Sequence, residues 1–388
     1  MSALRVGIVC DLVEEGWPSM DLVADRLFDQ LALRPDGIEV IRLRPRMRRR
    51  CTRIPGLADH PRARIVDRLA NRYGDYPRWL APQRERADVY HVIDHSYAHL
   101  VHVLPAGKTV VTCHDLDAFR CLLNPAEEPR SAAFRSLVRR TLTGLQGAAR
   151  VACVSEAVRN EIAAADMVPA ARLRVVPNGA DAASARRPDP EAEAAAFRLL
   201  GPIDPSRPEL LHVGSTIPRK RIDVLLQAFA GVRVRRPDAR LVRVGGLTEA
   251  QRRLAAELGV QDGIVETPFL ERAVLEAVYA RAVVMLLPSD REGFGLTIVE
   301  ALAAGVPAVV SDLPSLRETG GDAAVYCPPG DADAFAAAVL AILDDARTDR
   351  RTPAVAQASR FSWATYAVHM AEIYREIGRT ACKRDAPG

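Results

Sequence analysis

Two carboxylates flank a short turn with two glycines late in the chain. The stretch from Glu292 to Glu300 reads EGFGLTIVE, so the turn directly precedes an apolar run that predicts a helix. The start of a helix has unpaired N–H groups and the positive end of the helix dipole, and both favour an anionic phosphate. Because the carboxylates would repel a phosphate that they faced, we expect them to bind hydroxyls. Phosphate and hydroxyls together indicate a nucleotide sugar.

The turn supplies backbone amides, because its glycines let the chain approach a ligand closely. Glu300 lies one turn into the predicted helix, where a carboxylate can accept hydrogen bonds from the vicinal hydroxyls of a ribose. Glu292 precedes the turn and is expected nearer to the transferred sugar. An acidic helix cap with surface glutamates is the alternative interpretation. The turn residues predicted to bind the ligand are Gly293, Phe294, Gly295, Leu296 and Thr297.

Three consecutive cations supply the charge that a diphosphate needs. Arg219, Lys220 and Arg221 follow a strand predicted at 210–213 and precede a helix predicted at 222–229. Arginine binds phosphate as a planar fork and lysine binds it as a compact charge, so both suit a diphosphate. A solvated basic turn is the alternative, but the position at the carboxyl end of a strand favours a ligand role.

The composition excludes several classes of protein. The chain has 388 residues, of which 48% are hydrophobic and 26% charged, as in ordinary soluble proteins. Its formal net charge of +4 is too small to indicate a nucleic-acid partner. Seven cysteines occur singly, which argues against a disulfide framework or a zinc site and favours a reducing cytoplasm. Neither a secretory signal nor a membrane-length apolar run is found, so we expect a soluble protein, at most peripheral to a membrane.

Short apolar strands alternate with helical segments along the chain, which predicts parallel sheets covered by helices on both faces. The alternation stops in a stretch rich in Ala, Pro and Glu and restarts near residue 208, which indicates two Rossmann-like α/β domains. We predict an N-terminal domain at 1–182 and a linker at 183–207 that contains a helix at about 190–200. A C-terminal nucleotide-sugar-binding domain at 208–360 and a final helix at 361–380 follow.

Histidines and aspartates follow two predicted strands of the N-terminal half. His114 and Asp115 come after the strand at 109–113, and Asp94 and His95 come at the end of the strand at 89–93. The residues from Asp94 to His99 have two interpretations that stay open, namely contact with an acceptor and simple packing at the surface. Metal ligation by these residues is a weaker alternative.

Six arginines lie between Arg42 and Arg50, at positions 42, 44, 46, 48, 49 and 50. Such a density of positive charge can hold an anionic membrane surface or an anionic acceptor. A solvated basic loop is the alternative, and the arginine-rich composition of the whole chain favours it.

Four segments together resemble the retaining glycosyltransferases of the GT-B fold, family 4. They are EGFGLTIVEALAAGVP at 292–307, GSTIPRKR at 214–221, PNGAD at 177–181, which is similar to the family's PNGVD, and FSW at 361–363. The resemblance is stronger in the C-terminal half, and it implies that the domain at 1–182 is the acceptor-binding domain, whose sequence would vary with the acceptor. It implies two Rossmann-like domains whose parallel sheets face each other across a central cleft, with the final helix crossing back to the N-terminal domain.

The resemblance also implies roles for single residues of the C-terminal half. Lys220, assisted by Arg219, would neutralise the donor diphosphate. Glu292 would contact the hydroxyls of the transferred sugar, and Glu300 would bind the ribose. Many family members have an arginine where this chain has Ser215, so the diphosphate charge would fall on the two cations that follow.

Three further positions receive a role from the same resemblance. His114 resembles the family's active-site histidine near the transferred sugar, and it would join Glu292 and Lys220 as a catalytic residue. Gly16 lies where the family has a flexible loop near the donor. The segment 265–269, which ends at Phe269, would line the base.

The implied reaction moves a sugar from a UDP- or GDP-linked donor to an acceptor hydroxyl. It would retain the anomeric configuration by a front-face mechanism in which the diphosphate assists. The resemblance implies no cofactor and no required metal, and the acceptor would be a glycan, a lipid-linked sugar or a small molecule. The alternatives are a nucleotide-sugar 2-epimerase of the same fold and a non-catalytic nucleotide-sugar-binding protein. We expect the protein in the cytoplasm, either free or peripheral to the inner face of a membrane through the arginines from Arg42 to Arg50.

Overall fold

The computed structural model describes residues 3–33, 37–181, 189–345 and 347–384, with side chains described as far as residue 380. The chain divides into two compact units. Met1–Asn178 and Trp363–Gly388 form the first unit, and Gly179–Ser362 forms the second. Residues 182–188, which include part of the predicted linker, lie outside the described residues.

The first unit is built on a six-stranded sheet with the strand order β2-β1-β3-β4-β5-β6. Every described pairing in it is parallel, and Val9 at the end of β1 aligns with Val92 at the end of β3. The carboxyl ends of these neighbouring strands therefore lie at one edge of the sheet. The strands are β1 Leu4–Val9, β2 Ile38–Leu43, β3 Val89–Val92, β4 Thr109–Cys113, β5 Arg150–Cys153 and β6 Leu173–Val175.

Helices cover the first sheet, as expected for strands whose side chains are buried on both faces. A π-helical turn, Asn71–Asp75, joins two of these helices. The helices are α1 Pro18–Ala32, α2 Pro61–Ala70, α3 Tyr76–Leu80, α4 Arg120–Leu123, α5 Ala132–Gly147 and α6 Glu156–Ala164.

The second unit repeats this architecture with a parallel sheet of order β12-β11-β10-β7-β8-β9. Its strands are β7 Glu209–Val213, β8 Arg240–Val244, β9 Ile264–Thr267, β10 Val284–Leu287, β11 Ala308–Ser311 and β12 Ala324–Cys327. Its helices are α7 Pro190–Leu200, α8 Ile222–Arg235, α9 Glu249–Glu257, α10 Arg272–Arg281, α11 Leu296–Ala303, α12 Pro314–Gly320, α13 Ala332–Asp344 and α14 Arg351–Ala358. The predicted pair of α/β units with parallel sheets is confirmed, and so is the helix predicted at 190–200.

The last helix, α15 Trp363–Arg384, belongs to the first unit although it follows the second in sequence. The Tyr374 hydroxyl lies 2.7 Å from Nδ1 of His91 in β3. Glu376 accepts from Arg174 at 3.3 Å and from Arg150. Buried apolar and polar contacts therefore hold this helix on the first sheet.

Candidate active site

The predicted turn leads from β10 into α11 in the second unit. Gly295 is the N-cap of α11 and has a φ of 84°, a left-handed conformation that favours glycine. A Cβ at Gly295 would lie 2.7 Å from Cδ2 of Leu316, so the packing also excludes a side chain there. Because this N-cap residue is a glycine, it provides no side-chain cap for the helix. Its first N–H groups are therefore available to a ligand.

The Thr297 hydroxyl lies in this first turn of α11. Its oxygen is shielded from solvent and has no hydrogen-bond partner among the described residues. Buried polar groups in folded proteins usually have partners, and an exception needs an explanation. A ligand phosphate at the helix N-terminus would provide one.

Glu292 sits at the centre of a compact ion cluster. Its Oε1 accepts from Nζ of Lys220 at 2.6 Å and from Oγ of Ser289 at 2.7 Å, and its Oε2 accepts from Arg219 at 3.3 Å. The Glu292 side chain is 7% exposed. Burial alone would raise the pKa of Glu292, but the charges of Lys220 and Arg219 outweigh burial and hold the pKa below its ordinary value.

This cluster brings together three residues that the sequence placed at one site. Asp290 N–H donates to the carbonyl of Arg219 at 2.8 Å, so the loops after β7 and β10 are joined through the backbone as well. The ammonium of Lys220 has three donors, and its bond to Glu292 uses one of them. The cations are thus held in place by a carboxylate before any diphosphate arrives.

Glu300 is buried in α11 and is paired within the protein. It accepts from Arg272 of α10, and its Oε2 accepts from the Tyr279 hydroxyl at 2.9 Å. Arg272 also lies 3.6 Å from Asp181, in the segment that resembles the family's PNGVD. A carboxylate has about four lone-pair sites, so these two bonds leave acceptor capacity for a ribose. The sequence reading missed Arg272 and Tyr279, although their spacing of seven residues on one helix was a usable signal.

Arg243 is another residue that sequence reasoning missed. It lies in β8, and its guanidinium donates to the carbonyls of Gly214 at 2.8 Å and Ser215 at 3.3 Å. Burial lowers the pKa of Arg243 to about 10, so it stays charged at neutral pH. Ser215, where many family members have an arginine, therefore accepts a hydrogen bond at its backbone carbonyl from a buried cation. An arginine inside an otherwise apolar strand, LVRV at 241–244, was the available signal.

Two aromatic positions predicted at the site differ in exposure. The Phe294 ring is buried and meets the ring of Phe361 edge-on, with 5.5 Å between centroids. The ring therefore packs the turn, and the predicted part of Phe294 in ligand binding stays a prediction. Phe269 is 51% exposed just beyond β9, where a base could lie against it.

His114 and Gly16 lie in the first unit. His114 follows β4, and its Nε2 lies 2.8 Å from the carbonyl of Ile93, which can only accept, so Nε2 carries the proton. Burial lowers the pKa of His114, so the ring is neutral and Nδ1 is an acceptor. Gly16 has a φ of 69° in the loop after β1, and no atom lies near the place of a Cβ.

Carboxylates and a second histidine surround the carboxyl edge of the first sheet. His95 Nδ1 lies 3.2 Å from Asp94, and its Nε2 lies 3.5 Å from Asp115. Burial alone would lower the pKa of His95, but these carboxylates raise it. Asp11, just after β1, is 3% exposed and lies beside the carboxyl group of Asp94, with which it can share a hydrogen bond only when one of the two acids is protonated. Burial and the neighbouring charge of Asp94 raise the pKa of Asp11 well above its ordinary value.

Across residues 3–33, 37–181, 189–345 and 347–380, no three His, Cys, Asp or Glu side chains are grouped so that they could hold a metal ion. The cysteines with described side chains, at positions 10, 51, 113, 121, 153 and 327, are free thiols. None of the described helices combines the length and apolar composition needed to cross a bilayer.

Comparison with known protein families gives two adjacent matches. Residues 200–358 match the family described as glycosyl transferases group 1, and residues 23–184 match glycosyltransferase family 4. The O-antigen chain mannosyltransferase B of Escherichia coli is 29% identical over 310 residues, covering 77% of this chain and 78% of the relative. A GDP-mannose-dependent phosphatidylinositol monomannoside mannosyltransferase of Mycolicibacterium smegmatis is 33% identical over 58% of this chain and 61% of the relative. Several D-inositol 3-phosphate glycosyltransferases align over about half of their length.

Solved structures resemble the fold over nearly the whole chain. A sucrose-phosphate synthase from Thermosynechococcus elongatus superposes with a TM-score of 0.74 at 20% identity, covering 97% of this chain and all of the other. The Anabaena protein HepE, in complex with UDP and glucose, superposes with a TM-score of 0.73 at 16% identity, covering 96% and 100%. At these identities the similarity establishes the fold.

Proposed function

Because the chain belongs to the GT-B glycosyltransferases of group 1, we propose that it moves a sugar from a nucleoside diphosphate donor to an acceptor hydroxyl with retention of configuration. The observation that carries the proposal is the ion cluster of Lys220, Arg219 and Glu292 in the same unit as the uncapped N-terminus of α11. Cations, amides and a carboxylate are the groups that a sugar diphosphate requires.

In the proposed reaction the bond from C1 of the sugar to the diphosphate oxygen breaks as the acceptor oxygen attacks C1 from the same face. The leaving diphosphate gains negative charge, which Lys220, Arg219 and the amides of Leu296 and Thr297 stabilise more strongly in the transition state than in the ground state. A diphosphate oxygen takes the proton of the acceptor hydroxyl. Within this scheme Glu292 orients the cations and accepts from a sugar hydroxyl.

The ribose of the donor is assigned to Glu300, and the base to the neighbourhood of Phe269. His114 of the first unit, with its neutral ring and acceptor Nδ1, is assigned to a hydroxyl of the transferred sugar. The nucleotide is proposed to be GDP or UDP. Among the relatives, one is named as GDP-mannose-dependent, and one structural neighbour contains UDP. The acceptor is proposed to be a glycan, a lipid-linked sugar or a small molecule. A cytoplasmic location is proposed as well, because the described cysteines are free thiols.

The test incubates the protein with GDP-mannose or UDP-glucose and follows both nucleotide release and the sugar product. Lys220→Ala and Glu292→Ala are expected to lower turnover by about 10²- to 10³-fold, the usual loss when one group that stabilises the transition state is removed. Glu257→Gln, at an exposed position of α9, is the matched control and should retain wild-type turnover.

Near-normal turnover in both site variants would refute the proposal. Formation of an epimer without acceptor would instead indicate a nucleotide-sugar epimerase. Donor binding without release or transfer would indicate a non-catalytic binding protein.

A further inference from the structure

A cavity of about 300 Å³ lies in the first unit and is rich in guanidinium groups. We call it the arginine pocket. The residues that line it and matter here are Leu12, Arg46, Arg48, Asp75, Arg78 and Trp79. Three of these six carry positive charge and one carries negative charge.

The positive charges of the arginine pocket are only partly neutralised by the protein, because Arg48 and Arg78 share the single carboxylate of Asp75 with Arg50. Asp75 is already engaged by Arg50 at 2.8 Å, and this hydrogen bond lowers the pKa of Asp75. Within the described parts of the chain, the side chains of Arg46, Arg48 and Arg78 form no ion pair. Neighbouring arginines behave differently, because Arg42 pairs with Asp25 at 2.6 Å and Arg44 pairs with Asp21 at 2.7 Å. The basic segment is therefore half neutralised and half open.

The loop that carries two of these arginines is rigidly attached. Oδ1 of Asn71 accepts from the Arg48 N–H at 2.7 Å, and Nδ2 of Asn71 donates to the Arg48 carbonyl at 2.8 Å. The buried carboxylate of Asp67 accepts from the backbone N–H groups of residues 50, 51 and 52 at 2.8 to 3.1 Å. Two buried side chains thus hold the backbone, while the guanidiniums at 46 and 48 remain exposed. The backbone that carries the two arginines is therefore already ordered, so only their side chains lose entropy on binding.

The pocket also lies where ligands bind in sheets of this kind. Leu12 follows β1 in the loop that contains Asp11, and the Tyr76 hydroxyl lies 2.7 Å from the carbonyl of Cys10 and 2.8 Å from that of Leu43. The cavity is therefore anchored at the carboxyl ends of β1 and β2. The π-helical turn Asn71–Asp75 forms part of its wall, and such turns occur often at functional sites.

We propose that the arginine pocket binds the phosphate group of the sugar acceptor. Arginine forms paired hydrogen bonds to phosphate oxygens, and three unpaired guanidiniums match a phosphate monoester or a diphosphate. Trp79, which is 39% exposed, offers an apolar face to the carbon atoms next to that phosphate. The word acceptor rests on the proposed glycosyl transfer, whereas the affinity for phosphate does not. A soluble sugar phosphate and a phospholipid headgroup share this chemistry.

The test titrates inorganic pyrophosphate into the full-length protein in low salt and follows heat release. We expect two classes of site, one at the ion cluster of the second unit and one at the arginine pocket. The triple variant R46Q/R48Q/R78Q should lose the second class, with its dissociation constant raised about tenfold or more. Arg62→Gln, at an exposed position of α2, is the matched control and should retain both classes. Equal urea unfolding curves for the variants confirm that each is folded.

The complementary variant separates this inference from the proposed function. Lys220→Ala should lose the site in the second unit and retain the arginine pocket. If Lys220→Ala retains both classes of pyrophosphate site, the proposed donor site at the ion cluster is refuted, whereas the proposed phosphate site at the arginine pocket is not affected. If the triple variant binds pyrophosphate as the Arg62→Gln control does, the arginine pocket is not a phosphate site.

Vesicles distinguish the two sources of phosphate. Sedimentation with phosphatidylcholine vesicles, with and without phosphatidylglycerol, is measured for the wild type and the triple variant. Binding that requires phosphatidylglycerol and is lost in the triple variant indicates a lipid headgroup. Pyrophosphate binding at the pocket without vesicle binding indicates a soluble phosphorylated acceptor. Vesicle binding that is equal in both proteins shows that the pocket does not recognise the lipid.

Discussion

The charged side chains at the carboxyl edges of the two sheets differ in how completely they are paired within the protein. In the second unit Lys220 and Arg219 share the carboxylate of Glu292, and Arg272 is paired with Glu300. In the first unit the buried carboxyl of Asp11 lies beside a second acid, Asp94, and the arginines at 46, 48 and 78 form no ion pair among the described residues. In the second site a carboxylate therefore holds each cation before a ligand arrives, although one net positive charge remains at Glu292, whereas the arginines of the first unit have no ion pair among the described residues.

The difference indicates how each edge meets its ligand. A diphosphate entering the second unit joins cations that are already held in position, so little reorganisation is needed when charge develops. An anion entering the first unit would instead supply the missing negative charge. The three changes below test that contrast, beginning with the largest expected effect.

Breaking a neutralised pair in the second unit should cost the most stability. Arg272→Met leaves the carboxylate of Glu300, which is 5% exposed, with a hydrogen bond from the Tyr279 hydroxyl but without its ion pair. We expect the free energy of unfolding in urea to fall by about 3 kcal/mol, as when one member of a buried ion pair is removed. The exposed Arg253→Met, which loses a surface contact to Glu249 at 3.9 Å, should cost less than about 1 kcal/mol. Equal losses in the two variants would contradict the buried character of the first pair.

Removing the buried cation behind the β7 loop should weaken donor binding. Arg243→Met leaves the carbonyls of Gly214 and Ser215 without their donor. We expect the dissociation constant for GDP or UDP to rise about tenfold, the loss that corresponds to one hydrogen bond from a charged group. Calorimetric titration measures it, with Arg198→Met on the exposed face of α7 as the control. An unchanged dissociation constant would show that the loop holds its shape without Arg243.

Replacing the buried carboxyl of Asp11 in the first unit should change the pH dependence of stability. The raised pKa of Asp11 means that the folded protein keeps this proton to a higher pH than the unfolded chain does. The stability that the protonated group contributes is full below the ordinary pKa and is lost as pH rises through the folded pKa. Asp11→Asn should therefore be more stable than the wild type at pH 8 by about 1 kcal/mol, and the two should converge at pH 4.

Urea unfolding at a series of pH values checks this change. Asp29→Asn, on the exposed side of α1, is the control and should follow the wild type at every pH. The predicted sign is wrong if the stability of Asp11→Asn, measured relative to the wild type, is lower at pH 8 than at pH 4.

Much of the second unit could be predicted from sequence because its signals are local. The glycine turn, the strand before it and the helix after it are contiguous, so Gly295 as a helix start follows from a few residues. Lys220 and Glu292 are distant in sequence, but each follows a strand, and strands of a parallel sheet end at one edge. The pairing of Glu300 with Arg272 could not be predicted, because it depends on how two helices pack.

The sequence by itself determined the two α/β units and the strand ends that carry polar residues, because period, glycine and charge are local properties. Only the tertiary structure decided which arginines form ion pairs within the protein and which remain available to a ligand. Arg42 and Arg44 are neutralised by acids of α1, whereas Arg46 and Arg48 of the same run are not. That division depends on the distance between side chains of different elements, and no spacing along the chain encodes it.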